Sequence, residues 1–317
     1  LTLIQPLDGI PGWAVHVFLR QLTYLVALDR FRHFSRAADH CGVSQPALSA
    51  AIRQLEHELG VTVVLRNRRV FGFTAEGERV LAWARQTIAA LDGLRQEAHF
   101  ARDIAGGSLS IGAMPPAILV LPLLMESLRA AIPALHLSVN VAASADILHD
   151  LAEHRIQMGL IYLDQVPPDG SFETRYLYAE QLVLAAAPGV SLPNRTTCGW
   201  QEAAGLPLCL LGRSMRSRQI VDACFREAGC EPTVFLETNA LELLHAELRA
   251  GRLATILPVA ALPSGHEAAA PLQIRRLSPC PAPGVGLVRL RQPVVTALMA
   301  RSWEVAGGLV LDDALKL

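Results

Sequence analysis

Apolar positions recur with helical spacing over the first third of the chain and with strand-and-helix alternation over the rest. Leu19 to Leu28 reads as an apolar helix. Residues 35–58, SRAADHCGVSQPALSAAIRQLEHE, then read as two helices around a tight turn. Ser35 is the expected N-cap of the first, and Ala37 and Ala38 are small enough to let a second helix approach. Gly42 falls where the turn needs positive φ. Ser44 is expected to cap the second helix with Pro46 inside its first turn. Ala47, Leu48, Ala51, Ile52 and Leu55 follow on its buried face, and Gly60 closes it. Two β-prone runs, Val61 to Leu65 and Val70 to Phe73, flank the basic turn Arg66-Asn67-Arg68-Arg69, the pattern of a wing.

Thr74 can cap a long helix reaching about Ile104. Its apolar positions Leu81, Ala84, Ile88, Leu91 and Ala98 form an a/d-like seam, which predicts either a bundle contact or pairing with a second copy. Gly106-Gly107 reads as a hinge. Beyond it, strands are expected at 108–113, 135–141, 158–163, 182–187, 206–211, 233–238, 254–257 and 287–290. Helices are expected at 118–131, 145–154, 218–228, 241–249 and 294–305. This βα alternation predicts mostly parallel sheets with helices on both faces. The expected organisation is an extension at 1–16 and a winged helix-turn-helix at 17–73. A linker helix follows at 74–105, then one α/β lobe from 107–187 with 291–317, and a second from 190–288. Pro188-Gly189 is the expected first crossing between lobes.

Composition adds little to the whole and more to the parts. The 317 residues are 51% hydrophobic and 18% charged with net charge −1, which fits packed globular domains. Residues 15–73, however, hold eight Arg against four acids, net +4. A basic patch on a near-neutral chain suits reversible, salt-dependent binding of double-stranded DNA. Ser44, Gln45, Pro46 and Ser49 lie at the end of the second helix that would enter a major groove, where Gln offers donor and acceptor to a base edge. Ser35, Arg36, Arg53, Arg66, Arg68 and Arg69 are candidates for phosphate or minor-groove contact.

Lys316 is the sole lysine, so no Walker or Schiff-base lysine is available. The six cysteines show no Cys-x-x-Cys or zinc spacing, and no catalytic or metal cluster is predicted. Gly-x-Ser-x-Gly is absent, and Gly284 and Gly286 lack the third glycine of a dinucleotide loop. No cofactor and no enzymatic activity are expected. No signal or membrane-spanning pattern appears, so a reduced bacterial cytoplasm is the expected compartment.

The runs FSRAADHCGVSQPALSAAIRQLEHELGV, LRNRR and FTAEGERVL together resemble the LysR-type family of bacterial transcriptional regulators. The resemblance implies an α/β chain with an N-terminal winged helix-turn-helix and a long linker helix. A two-lobed effector domain like periplasmic binding proteins follows. It also implies dimers, usually assembled to tetramers, a small-molecule effector between the lobes, and contact with RNA polymerase. Four segments should meet in that cleft. The first is Met114-Pro115-Pro116, where family members often carry Ser or Thr. The second is Ser144, an anion-binding helix start or a plain N-cap. The third is Tyr162, where some relatives have Arg, and whose alternative is half-buried core. The fourth is the loop Gly212 to Arg218, with Arg213, Ser214, Met215 and Ser217, and Asn239 lies nearby. The arginines at 213, 216 and 218 suggest an anionic effector, or else a solvated surface. Peroxide-sensing relatives place a reactive Cys in this loop and a resolving Cys in the next helix. Here Ser214 and Met215 stand in the loop and Cys224 in the helix, so thiol sensing is an alternative. A solute-binding protein without DNA affinity is another.

Overall fold

The computed structural model describes residues 19–67, 70–100, 106–263, 272–312 and 315, and not the side chains at 66, 67, 70, 71, 99 and 100. The expected extension at 1–16, Arg68, Arg69 and the linker end at 101–105 lie outside the described residues. The chain divides into two compact units, Leu1–Arg95 and Gln96–Leu317.

The first unit contains α1 (Leu19–Phe31), α2 (Phe34–His40), α3 (Gln45–Leu59), β1 (Val64–Asn67), β2 (Val70–Phe73) and most of α4 (Ala75–Phe100). Leu25 and Leu28 of α1, Leu48, Ile52 and Leu55 of α3 and Leu81 of α4 are fully buried together. Each such side chain contributes roughly 1.5–3 kcal/mol by leaving water. Ala37 and Ala38 are buried as expected, and Gly42 and Gly60 have φ of 66° and 68°. Ser44 caps α3 by accepting from the Ala47 N–H at 3.4 Å, and Thr74 caps α4 by accepting from the Gly77 N–H at 2.8 Å. Ala47 itself is exposed rather than on the buried face. Ser35 is not a cap. Phe34 packs against the core and is drawn into the first position of α2, which leaves His33 as N-cap and Ser35 exposed one residue inside.

β1 and β2 pair antiparallel, Val64 opposite Phe73 and Asn67 opposite Val70. β1 starts at Val64 instead of Val61 because Glu56 of α3 accepts from the Val63 and Val64 N–H groups at 2.9 and 3.0 Å, anchoring the strand entry to the helix. Gly77 is required for the same junction: a Cβ there would lie 2.2 Å from the Val63 carbonyl oxygen. The predicted seam on α4 divides. Leu81 and Ala84 belong to this unit's core, Ile88 and Leu91 are half-buried and Ala98 is exposed. The exposed apolar stripe is instead Trp83, Thr87, Ala90 and Leu94, with Trp83 69% and Leu94 67% exposed.

The second unit holds two mixed sheets. Its elements are β3 (Gly106–Ala113), α5 (Leu121–Ala131), β4 (Ala134–Val141), α6 (Ser144–Ala152), β5 (Met158–Tyr162), β6 (Phe172–Ala179), β7 (Leu182–Ala186) and β8 (Thr197–Cys198). They continue as α7 (Trp200–Ala204), β9 (Leu208–Leu211), α8 (Arg216–Glu227), β10 (Val234–Thr238), α9 (Leu241–Ala250), β11 (Ala254–Pro258), β12 (Gln273–Leu277), β13 (Gly284–Leu290) and α10 (Ala297–Gly307). Lobe I is the sheet β4-β3-β5-β13-β6, and lobe II is β10-β9-β11-β7-β12-β8. Gly106 and Gly107 begin β3.

The lobe boundaries differ from expectation at both crossings. β7 belongs to lobe II, antiparallel to β11 and β12, and β13 belongs to lobe I, between β5 and β6. The chain therefore crosses at 180–181 and returns through 278–283. Pro188-Gly189 is a turn inside lobe II, where a Cβ on Gly189 would lie 2.4 Å from the Gly251 carbonyl oxygen. The two crossings touch: the Glu180 N–H donates to the Pro283 carbonyl at 2.9 Å. Parallel pairing is confined to β3 with β4 and β5 and to β9 with β10 and β11, plus the short β8–β12 pair. β6, β8 and β12 were not foreseen. Among the described residues no helix is long and apolar enough to cross a membrane.

Candidate functional site

The first candidate site is the start of α3. Ser44, Gln45 and Pro46 are exposed there, held by the Ser44 cap. Ser49, one turn on, is half-buried and accepts from the Arg53 guanidinium at 3.1 Å, which lays Arg53 along the outer face of the helix. A Gln side chain, a serine hydroxyl and a guanidinium on one exposed helix end are groups that hydrogen-bond base edges and phosphates. Arg36 is exposed on α2, with its guanidinium 6.0 Å from the Phe31 ring centroid. Arg66 lies in β1 with its side chain outside the description, and Arg68 and Arg69 lie outside the described residues. The sequence did not single out Glu56 or Gly77, which fix the wing strand against α3 and α4. Their signal was the glutamate and glycine standing in otherwise helical runs.

Beneath this surface, α1 and α4 are joined by a buried ion pair. Asp29 meets Arg85 at 2.5 Å, with both side chains under 7% exposed, and Arg32 adds a second contact to Asp29 at 2.7 Å. A buried carboxylate held by guanidinium groups is strongly destabilised when its partner is removed.

The second candidate site is the junction of the two lobes. Met114, Pro115 and Pro116 are buried. They open a 3-10 turn (Pro115–Val120) that packs on the turn Val259–Ala261 beyond β11. They form a closed lobe contact, not an open loop. Ser144 is buried as the first residue of α6, and Ala143 is the N-cap, so the plain capping role is not realised. Met215 is buried as the N-cap of α8, while Ser214 and Asn239 are exposed. The three arginines expected to attract an anion are already engaged. Arg213 faces Glu237 at 3.6 Å, Arg218 is buried against Asp222 and Glu237, and Arg216 pairs with Asp164 across the lobes at 2.6 Å.

Tyr162 is the expected residue that the structure places at the centre of a cluster. It is 1% exposed at the end of β5 and is joined by Ser217 of the expected cleft loop 212–218 and by Tyr178 and Glu180, which the sequence did not single out. Burial holds both tyrosine hydroxyls well above their ordinary pKa, and the neighbouring Glu180 adds to this. Burial also pushes the Glu180 carboxyl up to about 8, against the opposing pull of the Gln181 and Ala260 N–H groups. Among the described residues the Tyr162 and Tyr178 hydroxyls, Glu180 Oε2 and Ser217 Oγ find no hydrogen-bond partner. Each such buried group costs about 1–3 kcal/mol. The sequence signal was slight: a single acid inside the apolar run YLYAEQLVLAAA.

An open concavity of about 560 Å³ lies elsewhere on lobe I, lined by Phe172, Glu173, Thr174, Arg175, Arg291 and Trp303. Its charges pair internally, Arg289 and Arg291 with Glu173, and Arg175 with Glu304. Among the described residues no group of three or more His, Cys, Asp or Glu could hold a metal ion, and all six cysteines are free. Burial raises the Cys224 thiol and pushes Cys209 up to about 11 and Cys280 up to about 12. Cys224 and Cys280 face each other as thiols.

Comparison with known proteins covers nearly the whole chain. Residues 19–78 match the family "Bacterial regulatory helix-turn-helix protein, lysR family", and residues 102–307 match "LysR substrate binding domain". The Escherichia coli K12 DNA-binding transcriptional dual regulator OxyR is 32% identical over 85% of this chain and 88% of its own. A probable hydrogen peroxide-inducible genes activator of Mycobacterium leprae is 32% identical over 84% and 86%. In fold, a full-length OxyR variant from Pseudomonas aeruginosa aligns with TM-score 0.69 at 24% identity, covering 95% of each chain. Full-length CbnR in complex with its target DNA aligns with TM-score 0.64 at 24% identity, covering 91% and 98%.

Proposed function

The chain belongs to the LysR family of DNA-binding transcriptional regulators, and from that premise we propose that α3 reads an operator while the lobe junction binds a small effector. The observation that carries the reading is the Ser44-capped start of α3, which presents Ser44, Gln45 and Pro46 to solvent. Gln45, Pro46 and Ser49 contact base edges in the major groove. Ser35, Arg36, Ser44 and Arg53, with Arg66, Arg68 and Arg69 of the wing, contact phosphates or the minor groove. The Trp83, Thr87, Ala90 and Leu94 stripe on α4 pairs with a second copy, which places two recognition helices on two half-sites. Effector binding shifts the balance between two assemblies, and RNA polymerase reads the result.

The test is titration of the purified protein against its own upstream intergenic DNA at two salt concentrations. Specific binding that weakens steeply with salt supports the reading. Affinity no greater than for random DNA overturns it.

The peroxide-inducible relatives and the facing thiols of Cys224 and Cys280 favour thiol sensing as a second reading. Against it, Ser214 and Met215 occupy the loop of the reactive Cys, and raised thiol pKa values make poor nucleophiles at neutral pH. On the main reading, six titratable thiols remain in the unfolded protein after millimolar hydrogen peroxide treatment of the native one. A drop to four, with a mapped Cys224–Cys280 bond, would establish the second.

A further inference from the structure

The register of lobe I brings the cluster together. Val285 on β13 lies opposite Tyr162 on β5 and opposite Tyr178 on β6, so both tyrosines share one face of the sheet. Glu180 follows Tyr178 by two residues, on the first crossing, whose N–H is bonded to the second crossing at Pro283. Ser217 comes from lobe II, in the first turn of α8, with its hydroxyl toward Tyr162 but outside hydrogen-bonding geometry. All four side chains are at most 2% exposed, and all four carry an oxygen without a partner. Buried polar groups in folded proteins are otherwise paired almost without exception, and clustered exceptions mark places where another molecule completes the set.

The charge at this place selects the molecule. Arg216 is the cation that acts on the Tyr162 hydroxyl, and its Nε and Nη2 both donate to Asp164, at 3.1 and 2.6 Å, which offsets its charge. Glu180, held protonated at neutral pH by burial, is a neutral O–H donor beside three hydroxyls. Among the described residues an anion would find no unengaged cation here, so its charge would be buried without a counter-charge. We propose that Tyr162, Tyr178, Glu180 and Ser217 form an interlobe subsite for a small uncharged ligand with hydroxyl or amide groups. This rests on the reading that the effector binds between the lobes, and it replaces the anionic class that the arginine loop suggested. A ligand held by lobe I, lobe II and a crossing segment at once favours one lobe arrangement over another, the differential contact an effector needs.

The experiment uses the full-length protein and two isosteric probes, glycolamide and glycolate, in thermal unfolding at pH 7. Glycolamide is expected to raise the Tm in a concentration-dependent way, and glycolate to leave it unchanged. The glycolamide shift is expected to vanish in the Tyr162→Phe, Ser217→Ala double variant. Without probe, Tyr162→Phe and Tyr178→Phe are each expected to raise the Tm by about 2 °C or more, because each removes an unpartnered hydroxyl. A shift with glycolate that the double variant abolishes overturns the uncharged class. No shift with glycolamide, or Tyr→Phe variants with lowered Tm, overturns the subsite. Titration of the same proteins with DNA separates the two proposals, since failure of the subsite leaves specific DNA binding intact.

Discussion

Two buried acids, one in each compact unit, are treated in opposite ways. Asp29 lies between α1 and α4 against Arg85 and Arg32, with its charge matched at 2.5 and 2.7 Å. Glu180 lies between the lobes against backbone N–H groups and tyrosine hydroxyls, and among the described residues no cation meets its carboxyl and one oxygen is unpartnered. The first arrangement holds two helices in a fixed relation. The second is costly in the closed protein and is stabilised by anything that completes its hydrogen bonds, which is what the proposed effector subsite requires. Similar burial thus carries different roles, and the partner set tells them apart.

The sharpest way to break this comparison is to remove the cation from the first acid. Arg85→Met removes the guanidinium that meets Asp29 at 2.5 Å and is expected to destabilise the DNA-binding unit by about 3–5 kcal/mol, read by urea unfolding. Loss of less than about 1 kcal/mol would show that the pair does not fix the helices. Next is the pH response of the second acid. The folded-state pKa of Glu180 lies above its unfolded value, so the folded protein binds more protons between the two. Its stability is full below pH ~4.5 and declines as pH rises through about 8, by a few kcal/mol in order of magnitude. Thermal unfolding from pH 5 to 9 should show that decline, and Glu180→Gln should flatten it. An unchanged slope in the variant would mean that another group titrates there.

Smaller effects sharpen the picture. Ser44→Ala removes the α3 cap and is expected to cost about 1 kcal/mol and to weaken DNA binding, read by unfolding and by DNA titration on one sample. Asp164→Asn breaks the interlobe pair with Arg216, which is about one-third exposed on both sides. It is expected to lower stability by less than about 1 kcal/mol, since screened pairs contribute little. A larger loss would make this pair, not the buried cluster, the main clasp between lobes.

The DNA-reading unit was the more legible in sequence because its determinants are local. A serine before Gln-Pro, and glycines at 42 and 60 with positive φ, specify caps and turns within a few residues of themselves. Ser35 misled because the pull of Phe34 toward the core moved the helix start by two residues. The lobe junction was nearly illegible. Tyr162, Tyr178, Glu180 and Ser217 span 56 residues and meet only through the register of β5, β13 and β6 and the closure of two lobes. Pro188-Gly189 gave a strong but wrong crossing signal, since a Pro-Gly turn serves equally inside a sheet. The first part of the α4 seam, Leu81 and Ala84, serves the bundle contact that was one of its two expected uses, since periodicity cannot say which partner a face will meet.

The measurement that tests the account most directly compares wild type and Gln45→Ala on operator and scrambled DNA at two salt concentrations. The account predicts that Gln45→Ala loses about tenfold to a hundredfold in discrimination, the worth of one base contact, while keeping the salt dependence and the thermal stability of wild type. Wild-type discrimination in the variant would contradict the claim that the start of α3 reads the bases.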